Sequence, residues 1–190
     1  MNIEQIQQQV LQAKSLQIIG NNSQLNTSIT NTLNMSVYSG LVNYLPEELV
    51  MTVKAGTTIA YIKAILAHSD QVLPFAVGNK QSTTIGGAYA IGSPELRDAI
   101  LGVKVIDGRG RILNFGGKVM KNVAGYDVSR LLVGSKGRLV AVCEISFRVL
   151  PKAYAIASPT HGSIESSQSE AKQQLKQNLK NVFDPNGVFV

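Results

Sequence analysis

Cysteine occurs once in this chain, tryptophan not at all and histidine twice. The single thiol, Cys143, rules out a disulfide within the chain, and it cannot supply the cysteine ligands of an iron–sulfur cluster or the Cys/His spacing of a zinc site. Any metal redox centre that works with this chain belongs to another subunit. Cys143 lies in the apolar run LVAVCEISF, where a thiol behaves as a small buried hydrophobe in a reducing compartment. Aromatic residues make up only 6% of the sequence, and 18 Lys and Arg against 12 Asp and Glu give a formal charge of +6. These cations are scattered and no aromatic platform accompanies them, which disfavours a nucleic-acid surface. The first ten residues, MNIEQIQQQV, have neither a basic leader nor an apolar stretch long enough for export or membrane spanning. No transmembrane segment and a cytoplasmic location are the expectations.

What is present suffices for a folded core: 190 residues with 44% hydrophobic content suit one domain or two small lobes. Ile3, Ile6, Val10 and Ala13 have helical spacing, and Ile18 and Ile19 form a short strand that empties into Gly20, Asn21, Asn22 and Ser23. Such a turn is either an ordinary surface bend or a nest of N–H groups for a pyrophosphate. Residues 24–45 are rich in Asn, Ser and Thr and read as a variable excursion. A strand is expected over 49–55 and a helix over 59–68, with Thr57 as N-cap and His68 closing it. Extended structure follows at 72–75.

Three further stretches carry the interest. Thr83 and Thr84 stand directly before Gly86 and Gly87, a combination that favours close backbone approach. Residues 100–115 predict a β-hairpin turning at Asp107 and Gly108. The GlyArgGly there is followed by a second strand, so it is not a Rossmann fingerprint, which must open a helix. In the segment 118–151, Gly125, Gly134 and Gly137 surround a helical stretch DVSRLL before a long β-rich run; the glycines serve turns or the approach of a ligand. After Pro151 a polar connector containing His161 leads to a helix from about Glu170, with Ala171, Leu175, Leu179 and Val182 on one stripe. No Ser/His/Asp arrangement, paired carboxylates or arginine cluster emerges, so no catalytic side chain and no metal ligand is assigned.

At these residues the chain resembles the FAD-binding small subunits of bacterial glycolate oxidases (glycolate dehydrogenases), flavoproteins of the vanillyl-alcohol oxidase or PCMH type. The similarity runs in order through AGTTIAYIKAILAHSDQVLPF, TTIGG, the whole of LRDAILGVKVIDGRGRILNFGGKVMKNVAGYDVSRLLVGSKGRLVAVCEISFRVLP, and the terminal FDPNGVF. The KNVAGYDVSRL stretch is its most distinctive part. The resemblance implies an α+β, PCMH-type FAD-binding domain of two small α/β lobes over residues 1–152, one around a short, mainly parallel sheet and one around an antiparallel sheet. FAD would lie between them. A polar linker over 153–169 and a C-terminal helix and tail over 170–190 would follow, with the substrate-side cap lobe largely missing.

Carried over by position, Gly20, Asn21, Asn22 and Ser23 match the first phosphate loop, and Thr83, Thr84, Gly86 and Gly87 the second, where N–H groups and hydroxyls would meet phosphate oxygens. Asn122, Gly125, Tyr126 and Asp127 match the segment near the flavin and its ribityl chain. Gly134, Ser135 and Gly137 match the next tight turn, and Val140 and Val142 the strand against the adenine end. Arg138 and Val140 stand where a small Thr and a Gly are common. No histidine lies in the first loop, where some relatives attach flavin covalently, so noncovalent FAD is implied. The partners implied are a larger flavin-binding catalytic subunit and an iron–sulfur subunit, through which the chain would be peripheral to the inner membrane. The activity implied is flavin-dependent electron transfer from glycolate or another 2-hydroxy acid; a noncatalytic FAD-binding or assembly module is the alternative.

Overall fold

The computed structural model describes residues 1–21, 31–77, 82–117, 127–154 and 170–190. Helix α1 (Ile3–Gln12) opens on a capping box: Asn2 Oδ1 accepts from Gln5 N and Gln5 Oε1 accepts from Asn2 N, each at 2.9 Å. Strand β1 (Gln17–Ile19) pairs in parallel with β2 (Thr32–Asn34), and a 3₁₀ turn, Met35–Val37, follows. Next come β3 (Leu41–Leu45), β4 (Val50–Lys54), α2 (Ile59–Ala67), the short β5 (Gln71–Val72), α3 (Ile85–Ile91) and α4 (Pro94–Ala99). The hairpin β6 (Ile100–Asp107) and β7 (Ile112–Gly116) leads to α5 (Val128–Leu131), β8 (Val140–Arg148), β9 (Leu150–Pro151), a second 3₁₀ turn, Lys152–Tyr154, and α6 (Glu170–Phe183).

The main sheet has the order β3-β4-β8-β6-β7 and every pairing in it is antiparallel. It separates two cores. Ile62 and Leu66 of α2, Tyr89 of α3 and Leu96 of α4 pack with Met51, Val53, Val105 and Phe147 on one side. Ile6 and Val10 of α1, with Leu16, Leu33 and Met35, pack with Ile106, Ala141 and Cys143 on the other. Val105 and Ile106 are neighbours in β6 and so point to opposite faces. A β-bulge reconciles β8 with both cores: Lys104 and Val105 face Glu144 and Val142, leaving Cys143 as the extra residue. Without that shift, Ala141, Cys143, Ile145 and Phe147 would share one face; with it, the first two enter one core and the last two the other. The α+β architecture, with a parallel pair in one lobe and an antiparallel sheet in the other, is the expected one.

Three expectations need correction. The excursion at 24–45 contains β2, the 3₁₀ turn and β3; residues 22–30 lie outside the described part. Leu33 and Met35 in it are buried, and burial of two apolar residues organises a stretch whose composition is polar. Helix α2 is capped by Thr58, whose hydroxyl accepts from Tyr61 N, while Thr57 Oγ1 accepts from Gly40 N at 2.9 Å and donates to Gly40 O. In α6 the docked pair is Leu179 and Phe183, the latter edge-on to Phe115 with ring centroids 6.0 Å apart; Leu175 and Val182 face solvent. The buried face is rotated from the expected stripe because Phe183 and the tail after it anchor the helix end. The connector expected at 157–169, with His161, lies outside the described residues, as do Asn22, Ser23, Asn122, Gly125 and Tyr126.

Candidate cofactor cleft

A cleft opens where the two lobes meet. Its first wall is the end of β1, Ile18 to Asn21, with Met35 beside it; its second is α3, from Thr84 to Ile91, with the turn Ser135, Lys136 and Gly137; its floor is Ala55, Val140 and Val142 from the main sheet. The sequence pattern explains each wall. Thr84 caps α3, its hydroxyl accepting from Gly87 N at 3.1 Å, and Gly86 lets the helix lie on the sheet: its N–H donates to Ala55 O at 2.8 Å, and a Cβ there would stand 2.9 Å from that oxygen. Asn21 Nδ2 donates to Ser82 O at 2.9 Å, tying the first loop to the residue before Thr83.

The third loop hangs on the second. Gly134 N donates to Tyr89 O and Lys136 N to Ala90 O, both at 2.9 Å, so the last carbonyls of α3 hold the turn. Gly134, Lys136 and Gly137 all have positive φ, at 85°, 56° and 73°. For lysine this left-handed conformation costs about 1 kcal/mol or more relative to a right-handed one. Behind the turn, the fully buried Tyr89 donates its hydroxyl to Ser129 O in α5. Burial, and secondarily the charge of Asp127, raise the hydroxyl above its ordinary range, so it stays a donor.

Nine of the expected positions line this one cleft: Gly20, Asn21, Thr84, Gly86, Gly87, Ser135, Gly137, Val140 and Val142. Three described ones do not. Thr83 is buried behind Thr84, its Oγ1 without a hydrogen-bond partner among the described residues. Gly134 meets α3 as above. Asp127 caps α5, accepting from Arg130 N at 3.1 Å and from Ser129 Oγ at 2.7 Å. Arg138 is exposed and is not part of the lining, whereas Lys136, which sequence reading passed over, is its one charged residue among the described ones. The signal for Lys136 was available in its place between two glycines of a tight turn.

The lining suits a dinucleotide in character. Ile18, Val140 and Val142 offer apolar surface to a flat ring, and Thr84, Ser135, Asn21 and Lys136 offer polar groups to a phosphate. One expectation changes: Gly86 N and Gly87 N already donate within the protein, so phosphate oxygens would be met by hydroxyls and the Lys136 ammonium and not by these amides. Thr84 Oγ1 receives the Gly87 amide and keeps its own hydrogen to donate outward. The enclosed space is about 80 Å³, well below the roughly 300–1,000 Å³ that buries a whole drug-sized ligand. The space lined by the described residues is therefore too small to enclose a whole dinucleotide. No group of three His, Cys, Asp or Glu among the described residues is placed to hold a metal ion, and no described helix is long and apolar enough to cross a membrane.

The chain is 41% identical over 188 residues to glycolate oxidase subunit GlcE of Escherichia coli, an alignment covering 92% of this chain and 54% of that protein. It is 33% identical over 114 residues to glycolate oxidase subunit GlcD of Bacillus subtilis, covering 56% of this chain and 24% of that one, and 37% identical over 76 residues to D-lactate dehydrogenase of Archaeoglobus fulgidus, covering 40% and 17%. The chain thus spans about half or less of the length of these relatives. Residues 2–116 match the family model described as FAD binding domain. That match covers more than half of the chain, and with it the protein belongs to the FAD binding domain family.

Proposed function

We propose that this chain is the FAD-binding subunit of a glycolate, or more broadly 2-hydroxy-acid, oxidase or dehydrogenase complex. The observation that carries the reading is the convergence of Gly20–Asn21, Thr84–Gly87 and Ser135–Gly137 on one cleft, in a chain this similar to a glycolate oxidase subunit. Bound FAD would supply the hydride and electron chemistry. The protein's own work is positional. Val140 and Val142 form the floor for the adenine end, while Thr84, Ser135 and Lys136 offer donors to the diphosphate. Asp127, Tyr89 and Ser129 hold the start of α5, directly after the segment 122–126 assigned to the flavin side. In this reading the FAD is held noncovalently, in keeping with a first loop, Gly20 to Ser23, that carries no histidine.

In this reading the subunit works in the cytoplasm with a larger flavin-binding subunit and an iron–sulfur subunit, and is peripheral to the inner membrane through them. Purified protein is expected to carry a flavin absorption spectrum that glycolate bleaches when the partner subunits are present. A second reading is a noncatalytic FAD-binding or assembly module. Flavin that is bound yet never bleached in the complete assembly would favour that module, and failure to bind FAD at any concentration would end the first reading.

A further inference from the structure

Both walls of the cleft lead to one ammonium group that does not touch it. Lys180 Nζ, near the end of α6, donates to Arg138 O at 2.8 Å, to Asp184 Oδ2 at 2.6 Å and to Phe189 O. Arg138 directly follows the cleft-lining Gly137. Phe189 belongs to the terminal tail, which pairs in parallel with Leu16: Leu16 N donates to Val188 O at 2.7 Å and Val190 N to Leu16 O at 3.2 Å. Leu16 runs through Gln17 into Ile18–Asn21, the opposite wall. The circuit closes inside the cleft, where a Cβ on Gly137 would stand 3.3 Å from Ile18 Cβ.

Asp184 holds the tail by its carboxylate. Its carboxylate is buried; Oδ1 accepts from Val188 N and Oδ2 from Phe189 N, each at 2.8 Å, in addition to the Lys180 contact. Charge-assisted bonds of this kind are roughly twice as strong as neutral ones. The β6–β7 turn presses on the same point: Gly108 N donates to Phe183 O at 2.8 Å, and a Cβ on Gly108 would collide with Asp184 Oδ1 at 2.0 Å. These contacts seat the tail beside Leu16.

We propose that Lys180 and Asp184 are positioning residues that clasp the two cleft walls, so that cofactor affinity and the order of the C-terminal tail are coupled. The inference rests on the reading of the cleft as the FAD site. Coupling is reciprocal: whatever holds the walls for the ligand must also be held by it. Residues 188–190, which never reach the cleft, should therefore report its occupancy.

Hydrogen–deuterium exchange of the full chain tests this. Saturating FAD should slow exchange at the amides of Leu16, Val188, Phe189 and Val190 by about fivefold or more, the lower end of ordinary coupling energies. Lys180→Met should weaken FAD about tenfold, the loss expected of one charge-assisted bond, with Lys180→Arg restoring affinity to within about threefold. Unchanged exchange at the tail under saturating FAD, or native FAD affinity in a folded Lys180→Met protein, overturns the clasp. Should Lys180→Met not fold, the exchange of the wild-type chain with and without FAD decides. Should the wild type bind no FAD, the cofactor reading fails on its own account. The clasp is then judged by exchange in ligand-free Lys180→Met: faster at both 16–21 and 135–140 upholds it, and unchanged at either refutes it.

Discussion

Gly20 and Thr84 confront each other across the cleft: a Cβ on Gly20 would stand 2.9 Å from Thr84 Oγ1, the oxygen that caps α3 through Gly87 N. Adding a methyl at position 20 must displace that hydroxyl, and the cap is lost with it. Gly20→Ala is expected to lower the unfolding free energy by about 1 kcal/mol, the usual cost of an N-cap. In a Thr84→Ala background the same change should cost much less, because the obstructing atoms are gone and the cap is already missing. Denaturant titration of the four proteins measures the coupling; strictly additive losses would show that the two loops do not meet.

Asp127 separates a structural from a cofactor role at the start of α5. Its carboxylate accepts from Arg130 N and Ser129 Oγ, and its ion pair with Arg130, at 3.2 Å, is largely exposed and screened. Asp127→Ala is expected to lower stability by about 1 kcal/mol and leave FAD affinity within about threefold. A tenfold or greater loss of FAD in protein of normal stability would instead place this carboxylate on the cofactor.

Local chemistry made most of this fold legible. The Asp107–Gly108 turn is a hairpin as expected, with Asp107 Oδ1 accepting from Arg109 N and Arg111 N, and the helical stretch expected in DVSRLL is α5. What escaped was long-range. No periodicity in Asn- and Ser-rich residues 31–45 shows that Leu33 and Met35 will be buried by α1 and the C-terminal tail. Helical spacing named a stripe on α6 without showing that Phe183 and Asp184 would pin its end. At the site, glycine positions were readable because backbone freedom is local. Their reasons were not: Gly86 serves the contact with Ala55 and Gly134 the contact with α3. Lys136 was passed over although it stands between two glycines of a tight turn, because only the folded turn shows that it is carried into the cleft.

Cys143 gives the alkaline limb of stability a molecular cause. Burial first, and the Glu144 carboxylate second, push its thiol from the ordinary 9.0 up to about 12, with Lys104 opposing. The native state keeps a proton that the unfolded chain releases, so stability is fully present below about pH 9 and is lost as pH rises toward 12. Tyr38, raised from 10.0 to about 12 by burial and by Glu144, adds a second loss that begins later. In Cys143→Ala the decline should start near the tyrosine's ordinary range instead of the thiol's. Urea midpoints between about pH 8 and about pH 11 check this, and parallel curves for the two proteins would refute it.

Lys136 yields opposite expected effects on folding and binding. It holds φ at 56° between two glycines that also have positive φ, and no other charged residue among those described lines the cleft. Strain kept at such a place is accounted for when the side chain does something a glycine cannot. Lys136→Gly should therefore raise the unfolding free energy by about 1 kcal/mol, as the left-handed conformation becomes unstrained. It should also weaken FAD about tenfold, as one charge-assisted contact to the diphosphate is lost. Because Lys136 is exposed, that contact is screened by salt. Wild-type affinity should accordingly fall on going from low to high ionic strength more steeply than that of Lys136→Gly. Lys136→Asn, uncharged yet tolerant of positive φ, should match the glycine variant in FAD affinity and in salt response. Equal salt dependence in all three proteins would remove Lys136 from the cofactor and leave its strained backbone without a purpose in this site.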